Sequence, residues 1–151
     1  MKRQRGFTLI EVVVTVALLG LLASAAMPML AQATQRRQER ELRDALHAMR
    51  QAIDDYKKAV DQGQIEHQAD DSGYPPSLQV LVDGVVDKKR VDGRKLYFLR
   101  RIPQDPMSDC PTCAAEEQWQ IRPYQPDGHD VFDVSSKSER TGFNGVPYKE
   151  W

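Results

Sequence analysis

Arg5-Gly6-Phe7-Thr8-Leu9-Ile10-Glu11 heads an apolar run that continues to Leu30, and this stretch decides how the chain is read. Lys2, Arg3 and Arg5 precede the run, and from Gly6 to Gln35 Glu11 is the one ionisable side chain. As a helix, the about 24 residues from Phe7 to Leu30 cover about 36 Å, enough to span the hydrocarbon of a bilayer with the basic flank on the cytoplasmic side. The rest of the chain then faces outward. Two simpler readings are a secretory signal cleaved after Ala23-Ser24-Ala25 or Ala31-Gln32-Ala33, and a plain single-pass anchor. Both leave Glu11 unexplained, because a carboxylate inside an apolar helix costs about 3 kcal/mol on insertion scales. A plain anchor also has no need of a glycine where the apolar run begins.

Arg5 to Glu11 resembles the processing site of type IV pilins and type II pseudopilins. The resemblance implies cleavage between Gly6 and Phe7 by the prepilin peptidase, methylation of the new Phe7 amine, and an assembly role for Phe7 and Glu11. Gly6 has no side chain, so a protease can approach its carbonyl closely. The Glu11 carboxylate of one subunit can pair with the Phe7 amine of its neighbour, which offsets part of the desolvation and fixes register between helices. On this reading residues 1–6 are a cleaved leader, 7–33 the transmembrane and filament-core half of a long helix, and 34–151 a periplasmic domain that includes the helix's second half.

Polar residues take over after Ala33, yet Leu42, Ala45, Leu46, Met49, Ile53, Tyr56 and Val60 keep the three-and-four spacing of one helix face. The helix is therefore expected to run from Phe7 to about Val60. Pro28 removes a backbone donor within it and is expected to kink or locally melt it, with Gly20 a weaker site of the same kind. Pilin relatives share such a proline. Glu39 with Arg43 and Asp54 with Lys58 are spaced as favourable surface pairs. Arg36, Arg37 and Arg40 form a basic cluster suited to a solvated face, lipid headgroups or a subunit contact.

Asp61-Gln62-Gly63 is placed to end the helix, and 64–73 reads as an exposed loop. Leu78 to Val82 predicts a short helix, and Leu96 to Ile102, Gln118 to Tyr124 and His129 to Val134 are strand candidates. Together they predict an α+β fold, a long helix packed on a small antiparallel sheet. There is no internal repeat and no low-complexity tract. Tyr74-Pro75, Leu78-Gln79-Val80-Leu81 and Tyr97 to Pro106, ending in Pro103-Gln104-Asp105-Pro106, are similar to the major pseudopilins of type II secretion. In that turn the Asp105 carboxylate can accept bonds from nearby amides. The similarity covers Arg5 to Tyr124 and weakens beyond.

Relatives of that kind carry an Asp-rich C-terminal loop that binds calcium, and calcium needs six to eight gathered oxygens. Here Asp127, Asp130 and Asp133 are weak candidates, so no cofactor is expected and calcium stays open. Cys110-Pro111-Thr112-Cys113 holds the chain's two cysteines, in a region placed outside the cytoplasm. A structural disulfide is favoured. A redox centre would need the pair at a helix start, and a zinc site two further ligands, while His47, His67 and His129 are scattered.

A net charge of -1, from 21 basic and 22 acidic residues, provides no field for nucleic acid. No catalytic constellation stands out, so an enzyme is not expected. The resemblance implies a subunit of the type II secretion pseudopilus, anchored in the bacterial inner membrane with its C-terminal domain in the periplasm. Its partners would be copies of itself, minor pseudopilins, the prepilin peptidase and the inner-membrane secretion platform. The alternatives are a subunit of a type IV or DNA-uptake pilus, and a membrane-tethered thiol-disulfide oxidoreductase.

Overall fold

The apolar spacing seen along the first sixty residues becomes a single helix, α1 (Leu9–Asp61), in the computed structural model. The structure describes residues 8–67 and 71–151, with the backbone alone for 25–28. Thr8 starts the helix: its carbonyl accepts the amides of Glu11 at 3.1 Å and Val12 at 3.3 Å, and its hydroxyl oxygen also accepts the Glu11 amide, at 3.4 Å. Those are helix-start donors that would otherwise lack partners. α1 continues as one element past Gly20 and Pro28.

The chain divides into two units, Met1–Arg37 and Gln38–Trp151. In the first, the described side chains from Leu9 to Leu30 are exposed, among them Leu9, Val16, Leu19, Leu22 and Leu30. This part of α1 is long and apolar enough to cross a membrane. Its few hydroxyls are satisfied within the helix. Thr15 donates to the Val12 carbonyl at 2.9 Å, Ser24 to Leu21 at 2.8 Å and Thr34 to Leu30 at 3.0 Å, so they present no unpaired donor to an apolar surrounding.

In the second unit the expected helix face is the core. Leu42, Ala45, Leu46, Met49, Ile53, Tyr56 and Val60 are all buried, joined by Ala52 and Ala59 on the same side and by Ile65 after the helix. They pack with Leu78, Leu81, Met107, Trp119, Val131, Val134 and Tyr148. The short helix α2 (Leu78–Asp83) turns Leu78 and Leu81 inward, as its apolar side predicts. It ends at Gly84, whose φ of 72° suits glycine, and a side chain there would begin 2.7 Å from the Tyr97 ring.

The sheet differs from the expected three strands. There are two antiparallel ribbons, β1 (Val85–Val86) with β2 (Lys95–Leu96), and β3 (Trp119–Arg122) with β4 (Asp133–Ser136). Of the expected strand Leu96 to Ile102 only its start is extended, because the Phe98 and Leu99 amides both donate to the Leu81 carbonyl and tie that segment to α2. His129 to Val134 is likewise mostly loop. Val131 donates to the Pro75 carbonyl and Asp130 turns its own carboxylate onto the Tyr124 amide, so ladder pairing begins only at Asp133.

Candidate functional site

Two regions carry the residues singled out by the sequence: the start of α1 and the part of the second unit around the cysteines and the C-terminal aspartates. At the start of α1, Gly6 and Phe7 lie outside the described residues. Glu11 is exposed in the first turn, on the apolar half of the helix.

The Pro103-Gln104-Asp105-Pro106 turn is built as its composition suggests. Asp105 is buried; its Oδ1 accepts the Met107 amide at 2.8 Å and its Oδ2 accepts the Ser136 hydroxyl at 2.6 Å, joining the turn to β4. The Trp119 indole NH donates to the Pro103 carbonyl at 2.9 Å. Cys110 and Cys113 form a disulfide. Behind it comes only a four-residue 3-10 turn, Ala115–Gln118, rather than a helix that could stabilise a thiolate. Gln118, buried in this turn, is the hub: its amide group donates to the Cys110 carbonyl at 3.2 Å and the Cys113 carbonyl at 3.0 Å, while its Oε1 accepts the Asp105 amide at 3.0 Å.

Type II secretion system core protein G of Klebsiella pneumoniae is 34% identical to this chain over 110 residues, 70% of the chain and 71% of that protein. The chain belongs to the type II secretion system core protein G family. The core protein G of Klebsiella michiganensis is 29% identical over 149 residues, covering 95% of this chain and 87% of its own length, and that of Vibrio cholerae is 31% identical over 109 residues, covering 70% and 67%. The family model for the prokaryotic N-terminal methylation motif matches residues 1–27. No solved structure matches the chain.

In this member of the core protein G family Asp127, Asp130 and Asp133 are not brought together as one ligand group. Asp127 is exposed and lines an open groove with Asp130, a groove that Asp133 does not line. Asp130 accepts the Tyr124 amide at 2.9 Å and the Ser72 hydroxyl. Asp133 is committed to two guanidinium groups, Arg50 at 2.7 Å and Arg122 at 3.7 Å. Among the described residues no three His, Cys, Asp or Glu side chains are placed to hold a metal ion, and His47, His67 and His129 are all exposed.

Two expected surface pairs also read differently. Lys58 reaches Asp55 at 3.0 Å rather than Asp54, and with Gln51 it holds the Asp55 carboxyl below its ordinary value. Glu39 does lie 3.8 Å from Arg43, but it is buried: Oε1 accepts the Phe143 amide at 2.9 Å and the Tyr148 hydroxyl at 3.0 Å. The spacing carried that signal, since 39 falls on the same face as 42, 46, 49 and 53. Gln118 and Arg50 left no comparable trace in the sequence. Elsewhere, burial raises the Tyr56 and Tyr74 phenols above their ordinary value. No buried side-chain nitrogen or oxygen among the described residues lacks a partner.

Proposed function

We propose that the chain is a structural subunit of the type II secretion pseudopilus, a periplasmic filament that rises from the inner membrane and drives proteins through an outer-membrane secretin. The observation that carries this reading is the exposed apolar half of α1 with Glu11 in its first turn, in a member of the core protein G family. Such a surface is stable only in lipid or against other helices. Before assembly the helix holds the subunit in the bilayer; in the filament the same face packs on neighbouring copies and minor pseudopilins. Glu11 then meets the Phe7 amine released by the prepilin peptidase, and the secretion platform moves the subunit between the two settings.

In this reading 34–151 is the periplasmic part and the Cys110–Cys113 bond is a staple, which suits an oxidising compartment. The role is mechanical rather than catalytic. Deleting the gene should stop secretin-dependent export while leaving pili intact, and overexpression should yield filaments of this chain. Loss of twitching or DNA uptake with normal export would assign it to a pilus instead. Mass analysis of the membrane-bound protein should find a methylated terminus at Phe7. A terminus at Ala26 or Thr34 would remove the apolar helix and with it the proposed role.

A further inference from the structure

Arg50 sits on α1 beside Met49, one position off the buried face, with its side chain part-buried. Its Nε donates to Asp133 Oδ1 at 2.7 Å, and its Nη2 donates to the Val134 carbonyl at 3.0 Å and the Trp151 main-chain oxygen at 2.7 Å. One guanidinium thus joins three acceptors that lie 83, 84 and 101 residues further along the chain. The other groups around it complete the arrangement. Asp133 Oδ1 also takes the Val134 amide at 2.8 Å, and Arg122 faces the other carboxylate oxygen. The Trp151 ring lies under the Arg43 guanidinium, 4.6 Å from centroid to carbon, and edge-on to Tyr148, with its indole NH donating to the Val146 carbonyl at 3.2 Å. Gly142 leaves the room for that ring: a side chain there would begin 2.5 Å from it.

We propose that the Arg50 guanidinium is the fixed cation around which residues 133–151 are organised, and that it does here what a bound calcium ion would otherwise do. A carboxylate and main-chain oxygens are the oxygen types a calcium ion collects, and a planar guanidinium satisfies the same set with directed hydrogen bonds. With two arginines already facing Asp133, a divalent cation beside it would meet repulsion rather than a vacant anion. The cation is covalently part of α1, so the C-terminal segment is held to the helix whatever the calcium concentration outside the cytoplasm.

Hydrogen-deuterium exchange on the full-length chain in detergent tests this, comparing the unmodified protein with Arg50→Met and Asp133→Asn, each with added calcium and with chelator. Arg50→Met keeps most of the apolar stem, and Asp133→Asn keeps an acceptor for the Val134 amide. Both variants should speed exchange across 133–151 by about tenfold while 42–60 stays protected, since a charge-assisted bond is lost but the core is not. Calcium and chelator should leave the unmodified protein within about twofold of itself. Faster exchange with chelator, or unchanged exchange in Asp133→Asn, would overturn the proposal. The chelator arm decides it even if Arg50→Met does not fold.

Discussion

Glu39 Oε1 accepts the Tyr148 hydroxyl at 3.0 Å across 109 residues of chain, and the Phe143 amide shares the same oxygen. The carboxylate is therefore a second attachment of the C-terminal segment to α1, eleven residues before Arg50. Glu39→Leu would leave the buried Tyr148 hydroxyl and the part-buried Phe143 amide without this acceptor, a loss of about 2 to 3 kcal/mol, and should lower the melting temperature by about 10 °C. Glu39→Gln keeps an acceptor and should cost far less. Thermal melts of the two variants followed by circular dichroism separate these outcomes, and equal melting of both would show that the carboxylate is not holding the tail.

Glu11→Ala should leave membrane insertion intact or improve it, because the carboxylate is costly in lipid and gains only from a partner. Assembly should fall. If the pairing with the Phe7 amine sets helix register, the variant subunit accumulates in the inner membrane while filaments and export decline together. Membrane fractionation and a filament assay on the same cells measure the two effects, and normal filaments with normal export would remove Glu11 from assembly.

The range of each interaction decides whether the sequence revealed or concealed it. The helix and its core face were legible because Leu42 to Val60 repeat at a local spacing, and the apolar run to Leu30 needs no tertiary information. The ribbons were not, because strand length here is set by non-local hydrogen bonds: Leu81 captures the Phe98 and Leu99 amides, and Pro75 captures Val131. Burial of Glu39 and the three-way contact of Arg50 depend on where 133–151 returns to α1. A side chain's neighbours in sequence do not report that return. Cys110 and Cys113 could be joined from spacing and compartment, whereas the Gln118 side chain that fixes their loop became visible only in three dimensions.

Stability should fall at alkaline pH through Tyr56. Burial is the main cause that lifts its phenol above 10.0, with the Asp71 charge adding to it. A raised folded value means that the folded state favours the neutral form, so the contribution is complete below the ordinary value and is lost as pH rises through the folded one. Tyr56 packs edge-on against Phe98 with ring centroids 5.4 Å apart, a contact that phenylalanine at 56 preserves. Melting between pH 8 and 11 should therefore decline less steeply in Tyr56→Phe than in the unmodified protein. Some decline remains, because Tyr74 is raised by burial as well. Parallel curves for the two proteins would remove Tyr56 as a source of the alkaline loss.

Removing the Cys110–Cys113 disulfide should destabilise the domain even though the loop it closes is small. On the entropy account, so short a closure restricts the unfolded chain by about 2 kcal/mol, equivalent to a fall of about 8 °C in melting temperature for a domain of this size. The surroundings add a second effect. Gln118 donates to both cysteine carbonyls and accepts the Asp105 amide, so an opened loop withdraws two of its partners and loosens the turn that carries Met107 and joins β4. Cys110→Ser with Cys113→Ser, or reductant on the unmodified protein, should therefore produce the same fall, with faster exchange confined to 105–118 and the adjoining strand β3. Gln118→Ala with the disulfide intact should reproduce the local loosening without the entropy loss. Melts and exchange on these three forms distinguish a staple from an inert bond, and the staple assignment fails if reduction leaves both unchanged.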